Sequence, residues 1–397
     1  MEATVQKKAT LVSKMGRPKT APLASFDKLV VFKILDLRHH HPGWGALTIW
    51  TELNQDKSLS GFKIPKPSTI ALLLKLKGLT KVYEEHVEMP RSKMHFPNRP
   101  HHIWQIDSQG ATDVNSIGRV NLINTKDVFS KLYSGTLPAP ARSHNGSPSG
   151  TDYQLALRLA FSEFGMPQKI QTDHAGVFFE NKGKSPFPTR FHLWLVSLGI
   201  DLIYSRKYRP TDQAVVERAH RTIADQVLKG QSFDSLKALH RYCDARRKCL
   251  NEQIPSSSTK GLPPLMAFPN AKFSGRAYRP EIERKLIQLP RIFQFLSQGK
   301  WNRKAGKTKT VHLGGQWYYI KKAASFSKVR ITFEKKENLL IFRDVNELIL
   351  DKQPIKGITT EILMGETFFE ASLPDFQLQL PFTWEQQVLS MTFLDRH

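Results

Sequence analysis

Three carboxylates in this sequence stand where their types and spacing could do chemistry together. Asp107 closes the run His102-Ile103-Trp104-Gln105-Ile106-Asp107, in which Ile103 and Ile106 flank Trp104 as in a buried strand that delivers an acid at its end. Asp173 follows Lys169-Ile170-Gln171-Thr172 in the same way, and Glu217 lies on a helical run, about 214–228, in which Val215, Ala219, Ile223 and Val227 recur at helix spacing. Two strand-end acids and one acid on a helix can converge on one point. Such a cluster repels itself at neutral pH unless divalent cations sit in it. All-oxygen ligands suit magnesium or manganese, and two such ions serve phosphoryl transfer, one activating the attacking oxygen and the other stabilising the leaving oxygen of an in-line displacement. Taken singly, each acid reads as an ordinary turn, cap or helix-dipole residue; the functional reading rests on the ordered set.

The elements that must position these acids can be read around them. Strands are expected at about 101–107, 120–124 and 132–137, then a loop at 141–150 rich in Ser, Gly, Asn and Pro. A helix over 152–164 should carry Leu155, Leu157, Leu159, Ala160 and Phe161 toward the sheet, with Gly165-Met166-Pro167 ending it before the strand that leads to Asp173. A helix at 191–197 and a strand at 200–204 precede the Glu217 helix. That order predicts a mixed α/β sheet with helices on its faces, over 101–250.

Before this core, residues 1–24 form a polar, basic tail that includes Gly16-Arg17-Pro18-Lys19. Residues 25–80 read as three short helices: one from Phe26 with Leu29, Val30, Ile34, Leu35 and Leu37 on a buried face, a second at 46–53, and a third at 69–77 with Ser68 as N-cap and Gly78 as stop. Adjacent His39, His40 and His41 end the first helix, and Pro42 and Gly43 break it. Three helices with a capped last one predict a helix-turn-helix, whose final helix would offer Lys66, Ser68, Thr69 and Lys75 to phosphates or bases. Residues 81–100 read as an extended linker.

After the core, 251–299 reads as a helical and linker-like segment. Just before it, Ala245-Arg246-Arg247-Lys248 stand as a basic patch or a solvated helix face. Cys243 and Cys249, the two cysteines, read as packing residues, since two cannot make a disulfide framework or a four-cysteine zinc site. Alternating strands at 311–313, 316–321, 328–333 and 338–342, turned by Gly314-Gly315 and Lys336-Glu337-Asn338, predict a small antiparallel barrel over 300–345. Between 300 and 336 there are eleven Lys or Arg against Glu334 alone, with Lys321, Lys322, Lys328 and Arg330 among the expected DNA contacts. Residues 346–397 reverse the sign: from 345 to the end there are eight acids against Lys352, Lys356 and Arg396. Aromatics interleave this acidic tail, which is expected either to dock an accessory protein or second protomer, or to pack on its own barrel.

Composition sets the class of partner. Lys and Arg number 59 against 35 Asp and Glu, a net charge of +24 with a pI near 9.9, which argues for a polyanion, and for nucleic acid first. No apolar run approaches the roughly twenty residues needed to span a bilayer, and the first residues lack the apolar core of a signal peptide. No membrane partner and a cytoplasmic location are therefore expected.

The order strand-Asp, strand-Asp, helix-Glu, with its neighbours, resembles the integrase catalytic core of retroviral integrases and bacterial insertion-sequence transposases, the DDE superfamily. The matching segments are Trp104-Gln105-Ile106-Asp107, then Thr172-Asp173-His174-Ala175-Gly176-Val177-Phe178-Phe179, then Tyr208-Arg209-Pro210-Thr211-Asp212-Gln213-Ala214-Val215-Val216-Glu217-Arg218. Two departures stand out. Ala214 occupies a place where the pattern usually has Gly, and the 44 residues from Asp173 to Glu217 exceed the spacing of retroviral members, a surplus that fits the turn-rich stretch 181–188. Retroviral integrases also carry a His-His-Cys-Cys domain at the N-terminal end, which a chain with no cysteine before Cys243 lacks in its usual form.

The resemblance implies a multidomain chain: an N-terminal all-α helix-turn-helix, a central α/β ribonuclease H-like core and a C-terminal small SH3-like β-barrel. It implies Asp107, Asp173 and Glu217 as catalytic residues and ligands of two Mg2+ or Mn2+ ions. Arg206, Lys207 and Arg209 beside the metals, and Arg218 and Arg221 beyond Glu217, would grip DNA. The implied activity is metal-dependent 3′-end cleavage and strand transfer of a mobile DNA element, by a homo-multimer on double-stranded terminal repeats and target DNA. The alternatives are a catalytically inactive, sequence-specific DNA-binding protein and a nuclease of the same fold that only hydrolyses.

Overall fold

The computed structural model describes residues 23, 25–80, 96–141, 146–180, 185–206 and 210–365. The basic tail, most of the 81–100 linker, Lys207 and Arg209, and the tail beyond 365 lie outside the described residues. The chain divides into two compact units, Met1–Val87 and Glu88–His397.

In the first unit, α1 (Lys28–His40), α2 (Ala46–Gln55) and α3 (Pro67–Leu76) enclose Val30, Ile34, Trp44, Ile49, Leu53, Ile70, Leu73 and Leu74. Asp27 caps α1 through its side chain, and His41 at the other end stacks on Trp44 at 3.8 Å, folding the Pro-Gly break back onto the helices. The third helix begins earlier than expected. Lys66 is its N-cap and Pro67 its first residue, so Ser68 is already helical and caps nothing; proline, with φ preset and no N–H to lose, takes the first position instead. Gly78, at φ +68°, ends the helix as its sequence position suggests.

The second unit is built on a five-stranded sheet of order β3-β2-β1-β4-β5, from β1 (Ile103–Val114), β2 (Gly118–Asp127), β3 (Tyr133–Pro140), β4 (Lys169–Thr172) and β5 (Asp201–Tyr204). The first three strands form an antiparallel meander, whereas β4 and β5 run parallel to β1. This is the expected mixed sheet with helices. The central strand β1 is buried on both faces at Ile103–Ile106. Side chains alternate across it: Trp104 and Ile106 face the core shared with α4 (Gly150–Phe164) and α5 (Arg190–Ser197), while Leu122 and Tyr133 on neighbouring strands join the core under α6 (Ala214–Ile223) and α7 (Leu236–Glu252). The helix α4 opens on a capping box between Ser149 and Asp152. It buries Ala156, Leu157, Ala160 and Phe161, whereas Leu155 and Leu159 are only half-buried, one position off the expected stripe.

Three further expectations are corrected. Asp107 is not at a strand end: β1 runs on to Val114, because its antiparallel partner β2 continues past the point where the parallel pairing stops. The Arg246 and Arg247 pair is not a solvated patch. Both are buried on α7, Arg246 bonding Gln226 and Arg247 bonding Glu163, Asp244 and the Tyr133 carbonyl. Nor do the C-terminal strands close into a barrel among the described residues. After α8 (Pro264–Ala267), α9 (Glu283–Leu286) and α10 (Leu289–Leu296) come β6 (Lys300–Lys304), β7 (Thr310–Leu313), β8 (Gln316–Tyr319), β9 (Lys328–Glu334), β10 (Leu339–Arg343) and β11 (Ile349–Pro354). They form a four-stranded sheet, β11-β10-β9-β6, and a separate β7-β8 hairpin. Gly314 and Gly315, at φ +59° and +79°, supply the two left-handed residues of that hairpin's two-residue turn.

This C-terminal sheet is not a free module. One apolar cluster runs from Trp104 through Phe187 and Trp301 to Phe342, and the Trp301 indole donates to the Pro186 carbonyl at 3.2 Å. Part of the expected acidic tail is structural as well, since β11 extends the sheet and α11 (Thr360–Met364) seats against α4 and α5. There Gln154 donates to Leu363 and Arg158 to Met364. Arg158 also makes a fully buried, two-pronged pair with Glu283, 2.7 Å at each prong, and Glu283 accepts from Trp194 and Tyr278. Gly165, at φ +75°, passes so close to Ser274 and the Arg276 carbonyl that a Cβ would collide with both. No helix among the described residues is long and apolar enough to cross a membrane.

Arg158→Met would leave the Glu283 carboxylate buried without its guanidinium, at a cost of about 3–5 kcal/mol, measurable as a lower urea midpoint. His192 and His240, both buried, are held down to about 4 by loss of hydration. Below pH 6.5 the unfolded chain takes up protons at these positions and the folded chain does not, so stability present above pH 6.5 falls steadily toward pH 4, by about 3 kcal/mol per histidine. Urea titrations across that window should show the fall, and His192→Phe should make it shallower.

Candidate functional site

Strand register brings two of the three acids together. The parallel pairs are Ile103↔Lys169, Trp104↔Ile170 and Gln105↔Gln171. Asp107, still within β1, and Asp173, just past the end of β4, each lie two residues beyond the last of these pairs, and the charge of Asp107 acts on the Asp173 carboxyl. Alternation sends Gln105 and Asp107 to the face under α6, the face opposite Trp104 and Ile106. Beneath the acids the two glutamines bond to each other at 3.1 Å, and both donate to the Asp212 carbonyl. Gln105 also accepts from the Val216 N–H at 3.1 Å, which pins the start of α6 to the sheet just below the acids.

The electrostatics agree with that placement. Burial pushes the Asp173 carboxyl above its usual range; the Ala175 N–H, 2.9 Å from Oδ1, works against this, and the negative charge of Asp107 adds to it. Asp107 accepts from the Ser108 N–H at 2.8 Å and from His220 Nε2 at 3.3 Å. Tyr153, reaching over from α4, has its phenol raised by burial; it lies beside the Ser108 hydroxyl and within the field of Asp107, Asp173 and Asp152.

Glu217 stands one turn before His220 on α6 and is exposed. Residues three apart share a helix face, so Glu217 borders the site, but no group of three or more His, Cys, Asp or Glu among the described residues is arranged to hold a metal ion. Among the described residues, therefore, Asp107 and Asp173 stand within each other's electrostatic reach without a closed three-ligand set.

The other expected contacts are dispersed. Lys66, Ser68 and Lys75 are exposed and Thr69 half-buried on the first unit. Arg206 is clasped by Asp212, at 2.9 Å and 2.8 Å, so its guanidinium closes the loop that precedes α6. Arg218, Arg221, Lys321, Lys322 and Lys328 are exposed, and Arg330 is paired with Glu347. Sequence reasoning did not single out Asn124, Ser108 or Tyr153, and gave His220 no role at the acids. A signal was present: Gln-x-Asp occurs on both strands, Gln105-Ile106-Asp107 and Gln171-Thr172-Asp173, as expected of two strands presenting matched faces.

Residues 198–264 match the integrase core domain family. The chain is 30% identical over 139 residues to the Gag-Pro-Pol polyprotein of sheep pulmonary adenomatosis virus and 31% identical over 134 residues to that of mouse mammary tumor virus (strain BR6). Those alignments cover 35% and 34% of this chain but 7% of each polyprotein. Similar solved structures include the HTLV-2 integrase catalytic core domain in complex with magnesium, in its trimeric form, at 17% identity and TM-score 0.31, over 43% of this chain and 97% of that one. Another is the simian T-cell lymphotropic virus intasome in complex with the PP2A regulatory subunit B56 gamma, at 15% identity and TM-score 0.33, over 82% and 96%. A segment of this chain is thus similar to the integrase core domain, and the retroviral sequence relatives point toward the same retroviral-like integrases.

Because the folded state raises the Asp173 carboxyl, its ionisation opposes folding: the favourable contribution is complete below the ordinary value of 3.8 and is lost as pH rises through the raised one. Asp173→Asn should therefore raise the urea midpoint of the metal-free protein at pH 7, with no gain below pH 3.8.

Proposed function

We propose that this chain is a polynucleotidyl transferase of the integrase and transposase kind, acting on DNA through Asp107, Asp173 and Glu217. The observation that carries the reading is the Asp107 charge acting on the buried Asp173 carboxyl, from neighbouring strand segments, with the start of the Glu217 helix pinned to the sheet through Gln105. A buried acid held against a second negative charge is a site that a cation relieves, so the pair fits Mg2+ or Mn2+. When bound, such ions would activate an attacking oxygen and stabilise a leaving one.

The chain's own residues supply the framework. Asp107 and Asp173 bind from the sheet, Glu217 would approach from α6 to complete the set, and Gln105 holds that helix in place. The same in-line displacement would serve twice. Water first attacks phosphorus as the bond to the 3′ oxygen breaks, freeing a 3′-hydroxyl; that hydroxyl then attacks a phosphate of target DNA, again with loss of the opposite 3′ oxygen. The three-helix unit, read as a helix-turn-helix with Lys66, Ser68, Thr69 and Lys75 on or beside its last helix, would bind element ends. Lys207 and Arg209, which lie outside the described residues, Arg218 and Arg221 on α6, and Lys321, Lys322, Lys328 and Arg330 in the C-terminal segment, read as an SH3-like module, would hold phosphates. Joining two ends to one target calls for a homo-multimer, and the acidic sequence of the C-terminal tail would recruit an accessory protein.

One observation favours a second reading. A protein that only binds DNA has no need of a third ligand, and the described residues do not form a three-ligand group. Incubation of the full chain with labelled element-end DNA and Mg2+ or Mn2+ separates the readings. Joined products, lost by about a thousandfold or more in Asp107→Asn, Asp173→Asn and Glu217→Gln, are expected. Cleavage without joining would instead indicate a hydrolysing nuclease, and binding without either an inactive DNA-binding protein.

A further inference from the structure

We propose that His220 is a positioning residue for the carboxylate site, locked in one tautomer by a buried relay so that it donates a hydrogen bond to Asp107. The relay crosses the sheet. Thr136 on β3 donates its hydroxyl to Asn124 Oδ1 at 2.9 Å, Asn124 Nδ2 lies 2.8 Å from His220 Nδ1, and His220 Nε2 lies 3.3 Å from Asp107 Oδ2. Each step dictates the next. A hydroxyl spent on Oδ1 turns the amide so that its N–H faces the imidazole; an N–H facing Nδ1 requires a lone pair there, and the neutral ring then carries its proton on Nε2, aimed at Asp107.

Burial makes the arrangement rigid. Asn124 is 1% exposed and Thr136 6%, so a misdirected amide would leave polar atoms unsatisfied. Register supplies the alignment: Asn124 is the partner of both Asp107 on β1 and Thr136 on β3, which puts all three on one line across the strands. His220, on α6 one turn after Glu217, closes that line from above. The consequence is directional. The Ser108 N–H holds Asp107 Oδ1 and His220 holds Oδ2, so the carboxylate is fixed in rotation, and a carboxylate so held binds a cation without first losing rotamer freedom.

This inference rests on Asp107 and Asp173 being the cation-binding pair, and Mn2+ affinity of the full chain without DNA tests the two ideas separately. By isothermal titration, His220→Ala should bind Mn2+ about tenfold more weakly than wild type. His220→Gln, whose amide N–H can stand in for Nε2–H, should recover to within about threefold of wild type. Asp173→Asn should lose saturable binding. If Asp173→Asn loses binding while His220→Ala keeps wild-type affinity, the carboxylate reading stands and the positioning role is overturned; a His220→Gln variant as weak as the alanine variant overturns the donor role too. Wild-type protein with no saturable Mn2+ binding would overturn both. Should His220→Ala fail to fold, long-range 1H–15N spectra of histidine-labelled wild-type protein, assigned with His220→Gln, decide the matter: the Nε2–H form is expected, and an Nδ1–H ring would overturn the relay.

Discussion

The parallel pairing of β1 with β4 is the constraint on which the rest of the site depends. Over the short run Ile103–Gln105 against Lys169–Gln171, backbone bonds set which residues of two distant segments stand level. A slip of one residue would turn Asp173 to the opposite face, among the apolar side chains packed by α4 and α5. Two features oppose such a slip. Ile170 and Trp104 are wholly buried in the apolar core, and the Gln105–Gln171 bond forms only in the observed register.

The same glutamines link the sheet to the helix above it. Gln105 accepts from Val216 and donates to Asp212, so a polar pair buried in the sheet carries the turn before α6 and its first residues. The helix is amphipathic. Val216, Ala219 and Ile223 go down into the sheet, while Glu217 and His220 stand along the edge that meets the acids.

The remaining elements brace the core. The buried Arg158–Glu283 pair ties α4 to α9, and the carbonyls of Leu363 and Met364 end α11 on the same helix, so segments from the 280s and the 360s converge behind the sheet. The C-terminal sheet shares a continuous apolar core with the five-stranded sheet and its helices, so its exposed Lys321, Lys322 and Lys328 belong to the same compact unit as the acids.

Much of this was legible in the sequence. Strand and helix periods located β3, β4, β5, α4 and α5 to within a few residues, because each buries one apolar stripe whose period survives in the chain. Asp107 and Asp173 stood out as members of an ordered set, since singly each reads as an ordinary turn or cap residue. What sequence could not supply was pairing. The full length of β1 depends on its antiparallel neighbour, and β6 and β11, written as Lys300-Trp301-Asn302-Arg303-Lys304 and Ile349-Leu350-Asp351-Lys352-Gln353-Pro354, carry too few apolar residues to announce themselves. Arg246 and Arg247 read as surface because their partners, Gln226, Glu163 and the Tyr133 carbonyl, come from other elements. His220 is the sharpest case. Its neighbours in sequence mark it as one more polar residue on a helix, and only the sheet, by lining up Thr136, Asn124 and Asp107 beneath it, determines which nitrogen carries the proton. Local sequence encodes which face of an element is apolar. Hydrogen-bond partners between elements are set by register and by the approach of helix to sheet, quantities that exist only once the chain has closed on itself.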